Sequence, residues 1–176
     1  MQENGAQALW KKDPSFRIRA IKNDVEVEGM RIAHIRDGAA LCEFYAWLEE
    51  AIETQEITEN DVANKLREFR SQQENFMQPS FYPIAGYRGN GAIVHYRPDE
   101  ENSAKLEKSG IFLLDSGGQY YEGTTDVTRT ISMDQNPTDE QKDRFTRVLK
   151  GHIALSLVVF PEGTPGSNLD ILARAP

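Results

Sequence analysis

The sequence predicts an α+β fold, a curved antiparallel sheet flanked by helices. Three observations carry that expectation. Two helical patterns run from Asn23 to Ile52 and from Thr58 to Phe69; short β-branched or apolar runs cluster between Ala92 and Ile131; and helical spacing returns after Thr138. At 176 residues the chain is one domain or a piece of a larger one.

Residues 1–20 are unpatterned, with Asp13-Pro14 as a turn signal, and read as a leader or the tail of an upstream linker. Asn23 and Glu26 have capping-box spacing, so a helix is expected to begin there. Its apolar stripe is Val27, Met30, Ala33, Leu41, Phe44, Leu48 and Ile52, and Gly38 marks either a kink or a second start. Thr58 with Asp61 opens a second helix, with Val62, Leu66 and Phe69 on its buried side. Gln78 to Gly91 carries two prolines and three glycines and reads as irregular. Ala92 to Tyr96 reads as a short strand. After a polar loop, Asp99 to Lys108, the run Ile111 to Leu114 reads as a strand buried on both faces. Gly117-Gly118 signals a turn, and Gln119 to Ile131 returns as an alternating strand with a bulge or second turn at Glu122-Gly123. Thr138 with Gln141 caps a third long helix, with Phe145, Val148, Leu149, His152 and Ile153 along one side. A loop from Pro161 to Gly166 precedes a last helical pattern, Leu169 to Ala175. The chain ends inside that pattern, where Ile171 and Leu172 need a partner. Truncation of a longer protein and completion by dimerisation are the two explanations.

With 20 Lys and Arg against 28 Asp and Glu, the net charge is −8, and no basic stripe is present. That argues against a phosphate-backbone partner. The N-terminus has no apolar core of signal-peptide length, and the longest apolar run is too short to cross a bilayer. A lone cysteine, Cys42, forms no internal disulfide and suits a reducing, cytoplasmic setting. Beside Leu41 it reads as a small buried apolar residue. Glu49, Glu50, Glu53 and Glu56 read as a solvated helix end, and Tyr45 and Trp47 as either core or a homodimer surface.

The chemistry concentrates between Phe112 and Thr130. Asp115 ends the apolar strand and Asp126 lies eleven residues on, in a Thr-rich strand pattern. Two carboxylates facing each other across an antiparallel pair repel unless a cation lies between them. Oxygen donors suit Mg²⁺, Mn²⁺ or Ca²⁺. Read from the residues alone, a turn-forming Asp115 and an exposed Asp126 are the stronger alternative. His95 reads as a partly buried strand histidine, and His34 and His152 as packing or helix-surface residues.

The string DSGGQYYEGTTDVTRT (residues 115–130), with NGAIVHYRP (residues 90–98) upstream, resembles the aminopeptidase P family of Xaa-Pro aminopeptidases. These are metallopeptidases of the pita-bread fold, related to prolidases and methionine aminopeptidases. The likeness extends through residues 21–49, 80–96 and 148–175, and TTDVTRT favours the aminopeptidase P branch. The resemblance implies that residues 21–176 are the N-terminal portion of a catalytic domain. It implies that Asp115 is a terminal carboxylate on one metal, that Asp126 is shared by two, and that His95 stabilises the tetrahedral intermediate. Two divalent ions, most often Mn²⁺ and roughly 3.5–4 Å apart, would activate a water bridging them. The substrate would be a peptide with penultimate proline, its α-amine on one metal. The family's remaining His and two Glu ligands are expected beyond Ala175, so the chain alone is expected to bind metal weakly and to be inactive. A prolidase acting on dipeptides and a non-catalytic peptide-binding module are the rival readings.

Overall fold

Three capping boxes fix where the long helices begin. In the computed structural model, which describes residues 11, 13–134 and 136–176, the Asn23 side chain accepts from Glu26 N, and the Glu26 carboxylate accepts from Asn23 N, both at 2.9 Å. Helix α2 (Asp24–Thr54) follows as one uninterrupted helix, so Gly38 is not a second start. The same reciprocal pattern at Thr58 and Asp61 opens α3 (Glu59–Ser71), and at Thr138 and Gln141 it opens α4 (Asp139–Leu157). A short α1 (Ser15–Ala20) precedes them; the first ten residues and Lys12 of the expected leader lie outside the described residues. The last helix, α5 (Asp170–Arg174), follows a 3₁₀ turn at Gly166–Asn168.

Five strands form two antiparallel sheets: β1 (Phe76–Pro79), β2 (Ile84–Tyr87), β3 (Ile111–Ser116), β4 (Gly118–Tyr120) and β5 (Val127–Ser132). The larger sheet has the order β2-β3-β5, and β1 pairs with β4. Two strands therefore lie in the segment expected to be irregular. Pro79 is tolerated because it ends β1 in a two-stranded sheet, and Gly86 lets β2 approach another backbone. A Cβ on Gly86 would sit 2.6 Å from Gly91 Cα, so the chain after β2 is pressed against it as a 3₁₀ turn, Arg88–Ala92.

That packing removes the strand expected at Ala92–Tyr96. The segment is a turn, with Ile93 and Val94 exposed and His95 at φ 57°. Its β-branched composition reflects no sheet partner. The strand expected from Gln119 to Ile131 is also two strands. β5 pairs with β3, while β4 turns aside to β1, with its tip at Tyr121-Glu122 closed by Tyr120 N donating to Gly123 O at 2.8 Å. Gly117-Gly118 is thus not the turn of a β3 hairpin. A Cβ on Gly117 would lie 1.9 Å from Thr125 O, so the two legs of the excursion touch backbone to backbone at that position.

β3 is buried on one face only. Phe112, Leu114 and Ser116 are buried, whereas Ile111, Leu113 and Asp115 are half-buried. The buried face meets α2 and α3 in a core of Leu41, Phe44, Leu48, Ile57, Val62, Leu66, Ala85, Tyr87, Leu106, Phe112 and Leu114. Of the expected α2 stripe, Val27 is exposed and Ile52 half-buried. Tyr45 and Trp47 pack against the core edge. Cys42 is exposed, not buried, because the stripe turns away from it toward Leu41 and Phe44. The acidic end of α2 is solvated as expected, with Glu53 and Glu56 paired to Lys108 and Lys105.

Charges also enter the core. Arg70 donates to Asp37 through Nε at 2.7 Å and Nη2 at 3.0 Å, and the Tyr120 hydroxyl donates to Asp37 Oδ1 at 3.0 Å. All three residues are at most 1% exposed. Burial beside Asp37 pushes the Tyr120 phenol well above its ordinary range. This cluster ties α2, α3 and β4 together.

Candidate metal centre

The other face of β3 and β5 carries the candidate site. Their antiparallel register sets Asp115 opposite Thr128 and Ser116 opposite Val127. Continuing it places Asp126 opposite Gly117, so Asp126 and Thr128 share the sheet face of Asp115. The two aspartates are diagonal neighbours rather than directly opposed, and the chain between them runs out through β4. Asp115 is half-buried, and its Oδ1 accepts from Thr128 Oγ1 at 2.8 Å. Asp126 is exposed. Among the described residues neither aspartate forms an ion pair with a Lys or Arg within 4.0 Å.

His95 joins them. One cleft of about 280 Å³ is lined by Phe81, Tyr82, Ile84, His95, Arg97, Asp115 and Asp126. The histidine is on a turn rather than a strand, and its left-handed backbone lets one residue reverse the chain without glycine, a conformation histidine adopts more readily than branched residues. Its ring makes no hydrogen bond among the described residues. Tyr82 closes the cleft from β2's side, donating to Pro98 O at 2.8 Å, and the Arg97 guanidinium lies 5.6 Å from the centre of the Tyr82 ring.

Two carboxylates on one face, neither paired to a Lys or Arg, are an oxygen donor set of the kind hard divalent ions prefer. Among the described residues no group of three or more His, Cys, Asp or Glu surrounds a common point, so these two carboxylates fall short of a full coordination sphere by themselves. His34 is away from the cleft, exposed on α2 and bonded through Nδ1 to Met30 O at 2.7 Å. His152 is exposed on α4 and lines a larger neighbouring cavity of about 1210 Å³, which Asp126 also borders. The sequence reading overlooked Tyr82, Arg97 and Thr128. Tyr82 stands in the segment read as irregular, Arg97 just past the expected strand Ala92–Tyr96, and Thr128 was visible only as a residue two places from Asp126.

A model of metallopeptidase family M24 matches residues 28–176. Aminopeptidase P2 of Arabidopsis thaliana is 51% identical over 168 residues, covering 95% of this chain and 24% of the plant protein. A crystal structure of an X-prolyl aminopeptidase from Caenorhabditis elegans, described as a cytosolic enzyme with a di-nuclear active site, superposes with a TM-score of 0.84. It is 42% identical and covers 93% of this chain and 27% of the nematode chain. An Xaa-Pro dipeptidase from Bacillus anthracis superposes with a TM-score of 0.73 at 26% identity, over 90% of this chain and 42% of the bacterial one. The chain spans about a quarter of the length of the curated relatives it matches. Among the described residues no helix is long and apolar enough to cross a membrane.

Proposed function

Because this chain belongs to metallopeptidase family M24, its α+β architecture being part of a pita-bread fold, we propose that it contributes one wall of the catalytic centre of an Xaa-Pro aminopeptidase. Asp115 and Asp126 hold a dinuclear divalent-metal site, of which Mn²⁺ is the proposed occupant. The substrate is a peptide whose second residue is proline. One observation carries the reading: the two aspartates and His95, drawn from three separate stretches of sequence, line a single cleft.

When bound, the metal pair supplies an activated water nucleophile near neutral pH. The chain's own groups do the rest. Thr128 restrains the Asp115 carboxylate by its 2.8 Å hydrogen bond to Oδ1, which leaves Oδ2 free to meet a cation. His95, unengaged by other groups, donates to the oxygen that gains charge as the carbonyl before proline becomes tetrahedral. Phe81, Tyr82 and Ile84 give the cleft an apolar wall beside these polar groups. The relatedness to aminopeptidase P2 and the nematode enzyme supports release of a single residue from longer peptides. The nematode enzyme's cytosolic setting supports a cytoplasmic location.

The likeness to the Bacillus anthracis dipeptidase favours a second reading, a prolidase confined to dipeptides. A panel of Xaa-Pro dipeptides against Xaa-Pro tri- to pentapeptides, assayed with the protein that carries this chain and added Mn²⁺, separates them. Faster turnover of the longer peptides supports the aminopeptidase; turnover of dipeptides alone overturns it.

A further inference from the structure

His95 sits on a turn outside both sheets, with no ladder bonds to hold it, so some other element must set where its ring points. The structure assigns that task to Glu59. This residue is the first of α3 and is fully buried. Its carboxylate accepts from Tyr87 N at 2.6 Å, from Ala104 N at 2.8 Å, from the Tyr96 hydroxyl at 2.7 Å and from Asn90 Nδ2 at 3.1 Å. These four donors come from both ends and the middle of the segment 87–104, which contains His95. One buried carboxylate therefore gathers the whole excursion that leaves β2 and returns along α3.

The linkage to His95 runs through one residue. Tyr96, its chain neighbour, is pegged to Glu59 by its hydroxyl, and on the other side of that peptide His95 lines the cleft with Asp115 and Asp126. The turn has few other restraints. Ile93 and Val94 are exposed, and its backbone bonds are Ile93 N to Asn90 O and Tyr96 N to Ile93 O, each 3.1 Å. A second peg, Tyr82 to Pro98 O, holds the outgoing limb. Burial, followed by the bond to Glu59, pushes the Tyr96 phenol up to about 12, which keeps it a donor throughout the neutral range. Glu59 is a positioning residue for His95; this role rests on the catalytic reading of His95 given above.

The test uses Glu59→Gln and the milder Tyr96→Phe in the protein that carries this chain, each alone and combined with His95→Ala. Glutamine supplies one acceptor and a donor, so it cannot serve all four partners. Each single variant is expected to lower kcat by about tenfold to a hundredfold with KM and metal content held, since small displacements of a catalytic donor are costly. In the His95→Ala background the same substitutions should add no further loss. The His95 ring carbon and proton resonances should shift in both variants, whereas Leu41→Ala, a core change away from the turn, should lower stability and leave them in place. Additive losses, or His95 resonances unmoved by Glu59→Gln and Tyr96→Phe, overturn the assignment. Full activity in His95→Ala overturns the catalytic reading instead, and the resonances then still decide whether Glu59 places the ring.

Discussion

Arg70→Met would remove the cationic half of a pair that no water reaches. Arg70 is 1% exposed and Asp37 is fully buried. The two are joined by a bidentate contact, and Asp37's remaining partner is the Tyr120 hydroxyl. Methionine fills similar volume but cannot donate, so the Asp37 carboxylate would keep one neutral hydrogen bond in an apolar surround. Breaking such a pair from one side costs about 3–5 kcal/mol. At this chain length that corresponds to a fall of about 6–20 °C in Tm. Tyr120→Phe removes one neutral donor to the carboxylate and should cost less, about 1.5–3 kcal/mol. The double change Asp37→Leu with Arg70→Met removes both charges and should recover most of the loss. Urea unfolding followed by circular dichroism reads all of these. If Arg70→Met costs less than Tyr120→Phe, or if the double variant is as unstable as the single, the pair is not sequestered as the structure has it.

Two further outcomes follow from the site and its surroundings. Thr128→Val deletes the hydroxyl that orients Asp115 and should weaken divalent-metal affinity about tenfold to a hundredfold without unfolding the sheet, as read by calorimetric titration with Mn²⁺; unchanged affinity would show that Asp115 needs no such support. Burial pushes the Tyr45 phenol up to about 12, as burial and Glu59 do for Tyr96, from an ordinary value of 10.0. The unfolded chain therefore loses these protons first, so their contribution to stability is complete below pH 10 and declines as pH rises toward 12. Thermal melts across that window should show a steepening loss, which Tyr45→Phe and Tyr96→Phe each lessen; a flat profile would contradict the burial.

The three long helices were legible because their signals are local, whereas α1 lies in a stretch read as unpatterned. Asn23 with Glu26, Thr58 with Asp61, and Thr138 with Gln141 each specify a start within four residues. β3 was legible from its composition, and the shared face of Asp115 and Asp126 from the antiparallel pairing expected between their strands. The illegible parts depend on distant partners. Ile93 and Val94 have strand composition, but Gly91 packs on Gly86 and takes the chain into a turn before any sheet can accept it. β1 and β2 hide among prolines and glycines because strands this short need only a partner. Asp37 and Arg70 did leave a trace. Asp37 stands four residues from both Ala33 and Leu41, and Arg70 four from Leu66, each in an apolar stripe. A charge at such a position is to be read as buried and paired. Glu59 left no such trace, since an acidic residue in a first helical turn is ordinary.

The most direct test is the metal content and Xaa-Pro peptide turnover of Asp126→Asn in the protein that carries this chain. The account predicts loss of bound Mn²⁺ with a collapse of kcat, because Asn replaces a charged oxygen donor shared by two cations with a neutral one. An Asp126→Asn protein that retains the full metal complement and cleaves at the unmodified rate would contradict it.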